Sequence, residues 1–140
     1  MILVTGINGF IGHALSKELS KRDIFHKGVS RRIDNLKNFE NIQNIYALGS
    51  INRHTDWSLP LNDIKVVVHC ASAPYYINMK LEDYRLINKY GTQRLALQSI
   101  EAGVKRIIYI SSIRVFGTSN YIPFKGKSLY DNLKSEYMHL

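Results

Sequence analysis

Eight residues near the start of the chain, Thr5-Gly6-Ile7-Asn8-Gly9-Phe10-Ile11-Gly12, constrain its fold more than any other feature. They follow the apolar run Ile2-Leu3-Val4 and open a stretch of helical periodicity. A strand that feeds a glycine-rich turn into a helix N-terminus surrounds an open space with backbone N–H groups. The helix dipole adds attraction for negative charge there. In such a turn Gly6 permits the tight bend, Gly9 permits close approach of a phosphate, and Gly12 lets the helix pack against the sheet. The spacing is Gly-x-x-Gly-x-x-Gly rather than Gly-x-Gly-x-x-Gly, so the triplet draws its meaning from the strand and helix around it.

Beyond this turn, short β-branched runs alternate with helical periodicity, the pattern of a parallel sheet covered on both faces. Strands are expected at Ile2 to Val4, His26 to Ser30, Asn44 to Leu48, Val66 to His69 and Arg106 to Ile110. The fourth is apolar enough to be buried on both sides. A first helix from about Phe10 would turn Phe10, Ile11, Ala14, Leu15 and Leu19 inward. A long helix from about Tyr84 to Ala102 would bury Tyr84, Ile87, Gly91 and Leu95 and stop at Gly103. A last helix starts near Ser128, with Leu129, Leu133, Tyr137 and Leu140 on one face.

The expected fold is therefore α/β: a Rossmann-type, doubly wound parallel sheet of about five strands, in one dinucleotide-binding domain over residues 1–140. A complete fold of this kind uses about six strands, so the chain is expected to stop before the sixth and to lack a substrate domain. The flank of the fifth strand would then be unpaired, which makes self-association, for example as a homodimer, an expectation.

Bulk properties agree with one core. With 140 residues, 45% of them hydrophobic, the chain needs no metal or disulfide staple. Cys70 is its only cysteine, and a buried core role in a reducing compartment is the simpler reading. No run approaches the ~18 consecutive apolar residues of a membrane span, and Met1 leads straight into the first strand, so a cytoplasmic location is expected. The net charge of +8 is spread over short doublets such as Lys21-Arg22, Arg31-Arg32 and Lys105-Arg106. That favours a solvated surface over a nucleic-acid stripe. His13, His26, His54 and His139 show no metal-ligand spacing. His69 is expected at the end of the fourth strand, near the cofactor, held by packing and hydrogen bonds.

The choice of cofactor is read at the end of the second strand. A carboxylate there binds the ribose hydroxyls of NAD, whereas arginine suits the 2′-phosphate of NADP. Ser30-Arg31-Arg32 stands at that place, with Asp34 slightly later. An NAD(P) cofactor is expected, with NADP favoured over NAD.

Tyr130 and Lys134 lie four apart on the last expected helix and so share one face. A free tyrosine, with a pKa near 10, is a poor base at neutral pH. A neighbouring ammonium and a positive nicotinamide ring favour its phenolate, which can take a proton from an alcohol while hydride leaves the carbon. Ser111-Ser112 follows the fifth strand, at the carboxyl edge where sites form in such sheets.

Further segments carry a resemblance. Ile110-Ser111-Ser112-Ile113-Arg114-Val115-Phe116-Gly117 resembles the Ser-Ser-x-x-Val-Tyr-Gly segment of the extended short-chain dehydrogenase/reductases, the NAD-dependent epimerase/dehydratase family. Val67 to Ala73 is similar to their Val-Val-His-x-Ala-Ala strand, and Asn88-Lys89-Tyr90-Gly91-Thr92 to their Asn-x-x-Gly-Thr helix motif. With the glycine turn and the Tyr130/Lys134 pair, five motifs occur in family order.

The resemblance implies that Ser112 hydrogen-bonds the reacting oxygen and that Tyr130 is the acid/base. Lys134 would hold the nicotinamide ribose and lower the tyrosine pKa. The cofactor would meet Gly6, Asn8, Gly9, Phe10, Ile11, Gly12, Arg31, Arg32, Ser50, Ile51, Ala71, Ser72, Ala73, Asn88, Tyr130 and Lys134, with Asn88 anchoring backbone beside the site rather than touching substrate. The likeness is greatest to bacterial epimerases acting on UDP-hexoses or UDP-N-acetylhexosamines, such as UDP-glucose or UDP-N-acetylglucosamine 4-epimerases. It therefore implies a nucleotide-sugar substrate and hydride transfer at the sugar C4. A carbonyl reductase or hydroxysteroid-type dehydrogenase would use the same Ser/Tyr/Lys set. A cofactor-binding module without activity of its own is the third alternative. Two departures stand out: Gly49-Ser50-Ile51 replaces the Asp-Ile with which many relatives hold adenine, and the segment Thr118 to Leu129 is short.

Overall fold

The computed structural model describes residues 1–32, 41–73 and 80–112. The chain divides into two compact units, Met1–Ile110 and Ser111–Leu140. In the second, only Ser111 and Ser112 are among the described residues. The expected helix beyond Ser128 lies outside them.

The first unit is a five-stranded parallel sheet built from β1 (Ile2–Thr5), β2 (His26–Ser30), β3 (Ile42–Ala47), β4 (Val66–His69) and β5 (Arg106–Tyr109). The strands lie in the order β3-β2-β1-β4-β5, all parallel. The chain thus winds outward in one direction from β1 to β3, then crosses back to β4 and β5. The reversal falls between β1 and β4, the switch point at whose carboxyl edge doubly wound folds bind ligands.

Side chains alternate across the pleat and so fill two cores. On one face Leu3 and Val67, paired in register, pack with Val29, Ile51, Trp57, Leu61, Ile64 and Leu95. This side is covered by the short helix α2 (Ser58–Leu61) and by α4 (Thr92–Glu101). On the other face Val4 packs with Ile7 and with Leu19 of α1 (Phe10–Lys21). Helices on both faces are what near-continuous apolar strands require.

β2 reads His-Lys-Gly-Val-Ser, yet all five residues are buried. Its polar groups are satisfied. The Lys27 ammonium donates to the Asn62 carbonyl just past α2, at 2.8 Å. His26 donates from Nδ1 to the Ile24 carbonyl and accepts at Nε2 from the Ser16 hydroxyl of α1, at 2.9 and 2.7 Å.

Three expectations are corrected. In α1 the buried positions are Gly12, Ser16 and Leu19, with Leu15 partly buried. Phe10 and Ile11 are exposed, at 93% and 48%, and Ala14 is exposed as well. Among the described residues nothing covers the apolar side chains of this first turn. Next, β3 begins two residues earlier than expected because Ile42 joins Ile45 against α1. Finally, Cys70 is half-buried rather than a core residue.

The long helix runs from α3 (Leu81–Tyr84) through a π-helical segment, Arg85–Gly91, into α4, with right-handed helical angles at both junctions. It ends as expected. Gly103 takes φ +72°, its N–H donates to the Ile100 carbonyl, and the Val104 N–H donates to the Ser99 carbonyl. Among the described residues, no helix is long and apolar enough to cross a membrane.

Candidate cofactor site

The glycine turn crosses the carboxyl end of β1. Gly6 sits at φ +67°, and a Cβ there would lie 2.8 Å from the backbone of Ala71. The turn therefore touches the segment leaving β4, which only glycine allows. Gly9 donates its N–H to the Gly6 carbonyl at 2.8 Å and closes the turn. Ile7 reaches sideways: its N–H donates to the Val29 carbonyl, and its side chain occupies the space that a Cβ on Gly28 would need.

Gly12 acts differently from the expectation. A Cβ there would overlap the Gly6 carbonyl oxygen and stand 2.8 Å from its carbon. The helix is thus packed on its own glycine turn rather than on the sheet alone. This close approach aims α1 at the space above β1. Gly9, its N-cap, supplies no side-chain cap, and the first turn holds no acidic residue. Helix geometry leaves the N–H groups of Phe10, Ile11 and Gly12 without intrahelical acceptors, and no backbone acceptor replaces them among the described residues. Three N–H donors and a helix dipole at a switch point, with no acid to compete, fit a pyrophosphate.

The other sequence candidates lie as follows. Arg31 and Arg32 are exposed just past β2. Ser30 donates its hydroxyl to the Arg32 carbonyl at 2.7 Å, and Asn8 of the glycine turn donates to the same carbonyl at 3.4 Å. The arginine pair is thereby tied to the phosphate cradle. Asp34 lies outside the described residues. Ser50 is exposed, while Ile51 is 5% exposed and packs on Gly91 of the π segment. The Ile51 side chain is a core one, leaving Ser50 at the surface. Ser72 is exposed, with Ala71 and Ala73 partly buried on either side. Asn88, also in the π segment, holds Ala73 from both directions: its Oδ1 accepts the Ala73 N–H at 2.8 Å and its Nδ2 donates to the Ala73 carbonyl at 3.5 Å. It anchors backbone, in the manner expected.

Thr5 and Thr92 stand in two of the sequence motifs but are not among the expected site residues. Thr5 ends β1 and is paired in register with His69, which ends β4. His69 is 1% exposed, with Nδ1 2.6 Å from the Thr5 Oγ1 and Nε2 2.9 Å from the Thr92 Oγ1. Thr5 Oγ1 also accepts the Ala71 N–H at 3.2 Å. Burial lowers the His69 pKa from 6.5 to about 4, so the ring is neutral at physiological pH. The available signal was positional: polar residues at the carboxyl ends of the two strands flanking the switch point. Cys70 follows; desolvation raises its thiol pKa, which disfavours a nucleophilic thiolate.

Ser111 and Ser112 are exposed and follow Ile110 in the second unit. Tyr130 and Lys134 lie outside the described residues. Among the described residues no His, Cys, Asp or Glu cluster could hold a metal ion.

Comparison with known proteins points the same way as this geometry. Residues 3–134 match the 3-beta hydroxysteroid dehydrogenase/isomerase family. The chain is 41% identical over 131 residues to a UDP-glucose 4-epimerase from Vibrio cholerae, covering 89% of this chain and 39% of that protein. It is 31% identical over 113 residues to a decarboxylating sterol-4-alpha-carboxylate 3-dehydrogenase from Mus musculus, covering 80% and 30% respectively. Among solved structures, MoeE5 in complex with UDP-glucose and NAD superposes with a TM-score of 0.71 at 29% identity. That match covers 85% of this chain and 38% of that one. The chain thus spans about two fifths or less of the length of each of these relatives.

Proposed function

Since the chain belongs to the 3-beta hydroxysteroid dehydrogenase/isomerase family, within the extended short-chain dehydrogenase/reductases, we propose that residues 1–140 form the NAD(P)-binding domain of a nucleotide-sugar epimerase or dehydratase. The observation that carries the reading is the open cradle at the switch point, where Gly6 and Gly12 admit no Cβ and the first turn of α1 offers uncapped N–H donors. The 41% identity to a UDP-glucose 4-epimerase favours a UDP-hexose as substrate, with C4 as the reacting carbon. A cytoplasmic location and the absence of nucleic-acid and membrane partners belong to the same proposal, supported by the lone Cys70 and the scattered basic residues. Self-association, as a homodimer, belongs to it as well.

When bound, a nicotinamide would supply a hydride acceptor and donor at the sugar carbon. The remaining tasks fall to the chain. The N–H groups of Phe10, Ile11 and Gly12 hold the pyrophosphate. Exposed Phe10 and Ile11 shield it from water, and Arg31 and Arg32 meet a 2′-phosphate, which favours NADP. Ser50 and Ile51 border the adenine, the latter through its backbone. Ala71, Ser72 and Ala73, fixed by Asn88, border the nicotinamide half. Ser112 donates a hydrogen bond to the reacting oxygen. Tyr130 takes the proton of the C4 hydroxyl as hydride leaves and gives it back on its return. Lys134 holds the ribose and, by its charge, lowers the Tyr130 pKa.

In a full-length protein that carries this domain, incubation with UDP-glucose should yield the C4 epimer without net change in reduced nicotinamide. Tyr130→Phe should abolish turnover and spare dinucleotide binding; undiminished turnover would remove Tyr130 from the mechanism. The similarity to a sterol dehydrogenase favours a second reading, net oxidation of an alcohol by the same residues. Reduced nicotinamide accumulating in step with substrate loss would select it.

A further inference from the structure

We propose that His69 is a positioning residue for the dinucleotide, its ring fixing the Thr5 hydroxyl and through it the contact between the glycine turn and Ala71 across the switch point. The inference rests on the cofactor reading above and assigns it a device that lies wholly beneath the ligand. Thr5 Oγ1 receives the Ala71 N–H at 3.2 Å, which leaves its own proton available to the neutral His69 ring. His69 Nδ1, 2.6 Å away, accepts it; the opposite ring nitrogen then carries a proton and donates it to Thr92 Oγ1 at 2.9 Å. In this arrangement every polar atom of the chain Ala71–Thr5–His69–Thr92 is satisfied, as burial demands. The ring lies against Tyr109 of β5, with centroids 5.7 Å apart, which limits its rotation.

The consequence is geometric. Gly6 follows Thr5 and touches Ala71, so the Thr5 hydroxyl, beside the backbone bond from Cys70 N–H to the Thr5 carbonyl, helps to hold the turn against the outgoing β4 segment. Asn88 fixes the same segment two residues on, at Ala73. Its partner on the helix side, Thr92, lies four residues further along, so one helix grips both the segment and the ring. The phosphate cradle and the nicotinamide-side wall are thus set by a shared hydrogen-bond chain whose central member is His69.

The two ring nitrogens make the idea testable, because asparagine and glutamine each reproduce one of them. His69→Asn places an acceptor near the Nδ1 position and keeps the Thr5 bond. His69→Gln reaches the Nε2 position and keeps only the Thr92 bond. Ser16→Ala removes a comparable buried serine–histidine bond, to His26, away from the cradle. Each variant of the 140-residue chain would be titrated with NADPH and NADH by nicotinamide fluorescence, and its stability measured by urea denaturation.

The expected pattern is a dinucleotide affinity about tenfold weaker for His69→Gln, close to that of the unaltered chain for His69→Asn, and unchanged for Ser16→Ala, with all three destabilised. Equal losses of affinity in the two His69 variants, or affinity that simply follows stability across all three, would overturn the role. An unaltered chain that binds neither dinucleotide would overturn the cofactor reading itself, and the role with it.

Discussion

At Gly12 and Gly103 the same added methyl group is expected to have opposite consequences. Gly12 has no room: its Cβ would overlap the Gly6 carbonyl oxygen, and neither backbone can retreat without opening the turn. Gly12→Ala should therefore remove dinucleotide binding in a titration even where circular dichroism shows the sheet intact. Gly103 has open space around it but sits at φ +72°. Gly103→Ala should cost about 1 kcal/mol of stability in urea, the usual penalty of the left-handed region, with affinity unchanged. His69 adds a pH dependence whose sign follows from burial. Its pKa is lowered to about 4 in the fold and is ordinarily 6.5, so the unfolded chain binds the extra proton over that interval. Its contribution is complete above about pH 6.5 and is lost as the pH falls toward 4, about 3 kcal/mol in all. Urea midpoints of the chain and of His69→Asn, compared between pH 7.5 and 4.5, should converge as the pH falls. Parallel curves would show that the ring does not carry this effect.

Among the elements, those with simple periods were the legible ones. Val66–His69 reads as a strand buried on both faces and is one: Val67, Val68 and His69 are all buried, Val67 in the core under α2 and α4. Of the spacing Tyr84, Ile87, Gly91, Leu95, the fold buries Gly91 and Leu95 and only partly covers Tyr84 and Ile87, and Leu95→Ala should cost about 2–5 kcal/mol on unfolding, since its side chain is 1% exposed in the cluster with Trp57 and Ile51. The first helix was misread at its N-terminal turn for a physical reason. Apolar residues at helical spacing imply a covered face only where something lies beneath, and among the described residues nothing covers Phe10 and Ile11. The Thr5–His69–Thr92 chain was illegible because it joins residues 64 and 23 positions apart. Only the parallel register of β1 and β4 brings the first pair together.

For the whole molecule, strand order turns a sequence motif into a site. The order β3-β2-β1-β4-β5 puts the glycine turn, the Arg31-Arg32 pair and the Ala71–Ala73 segment on one edge, on either side of one reversal. The arginines stand on the side of β2, where a 2′-phosphate would lie. Arg31→Ala combined with Arg32→Ala should weaken NADP binding at least tenfold while leaving NAD within about twofold, because charge-assisted bonds to phosphate are lost. Equal loss for both dinucleotides would remove the arginines from cofactor choice. The central claim, that this edge holds a nicotinamide dinucleotide by the N-terminus of α1, is tested most directly by calorimetric titration of the 140-residue chain and of Gly12→Ala with NADP and NAD. One dinucleotide bound per chain, tighter for NADP and absent in Gly12→Ala, is the predicted result. No binding by the unaltered chain, or equal binding by both proteins, would contradict it.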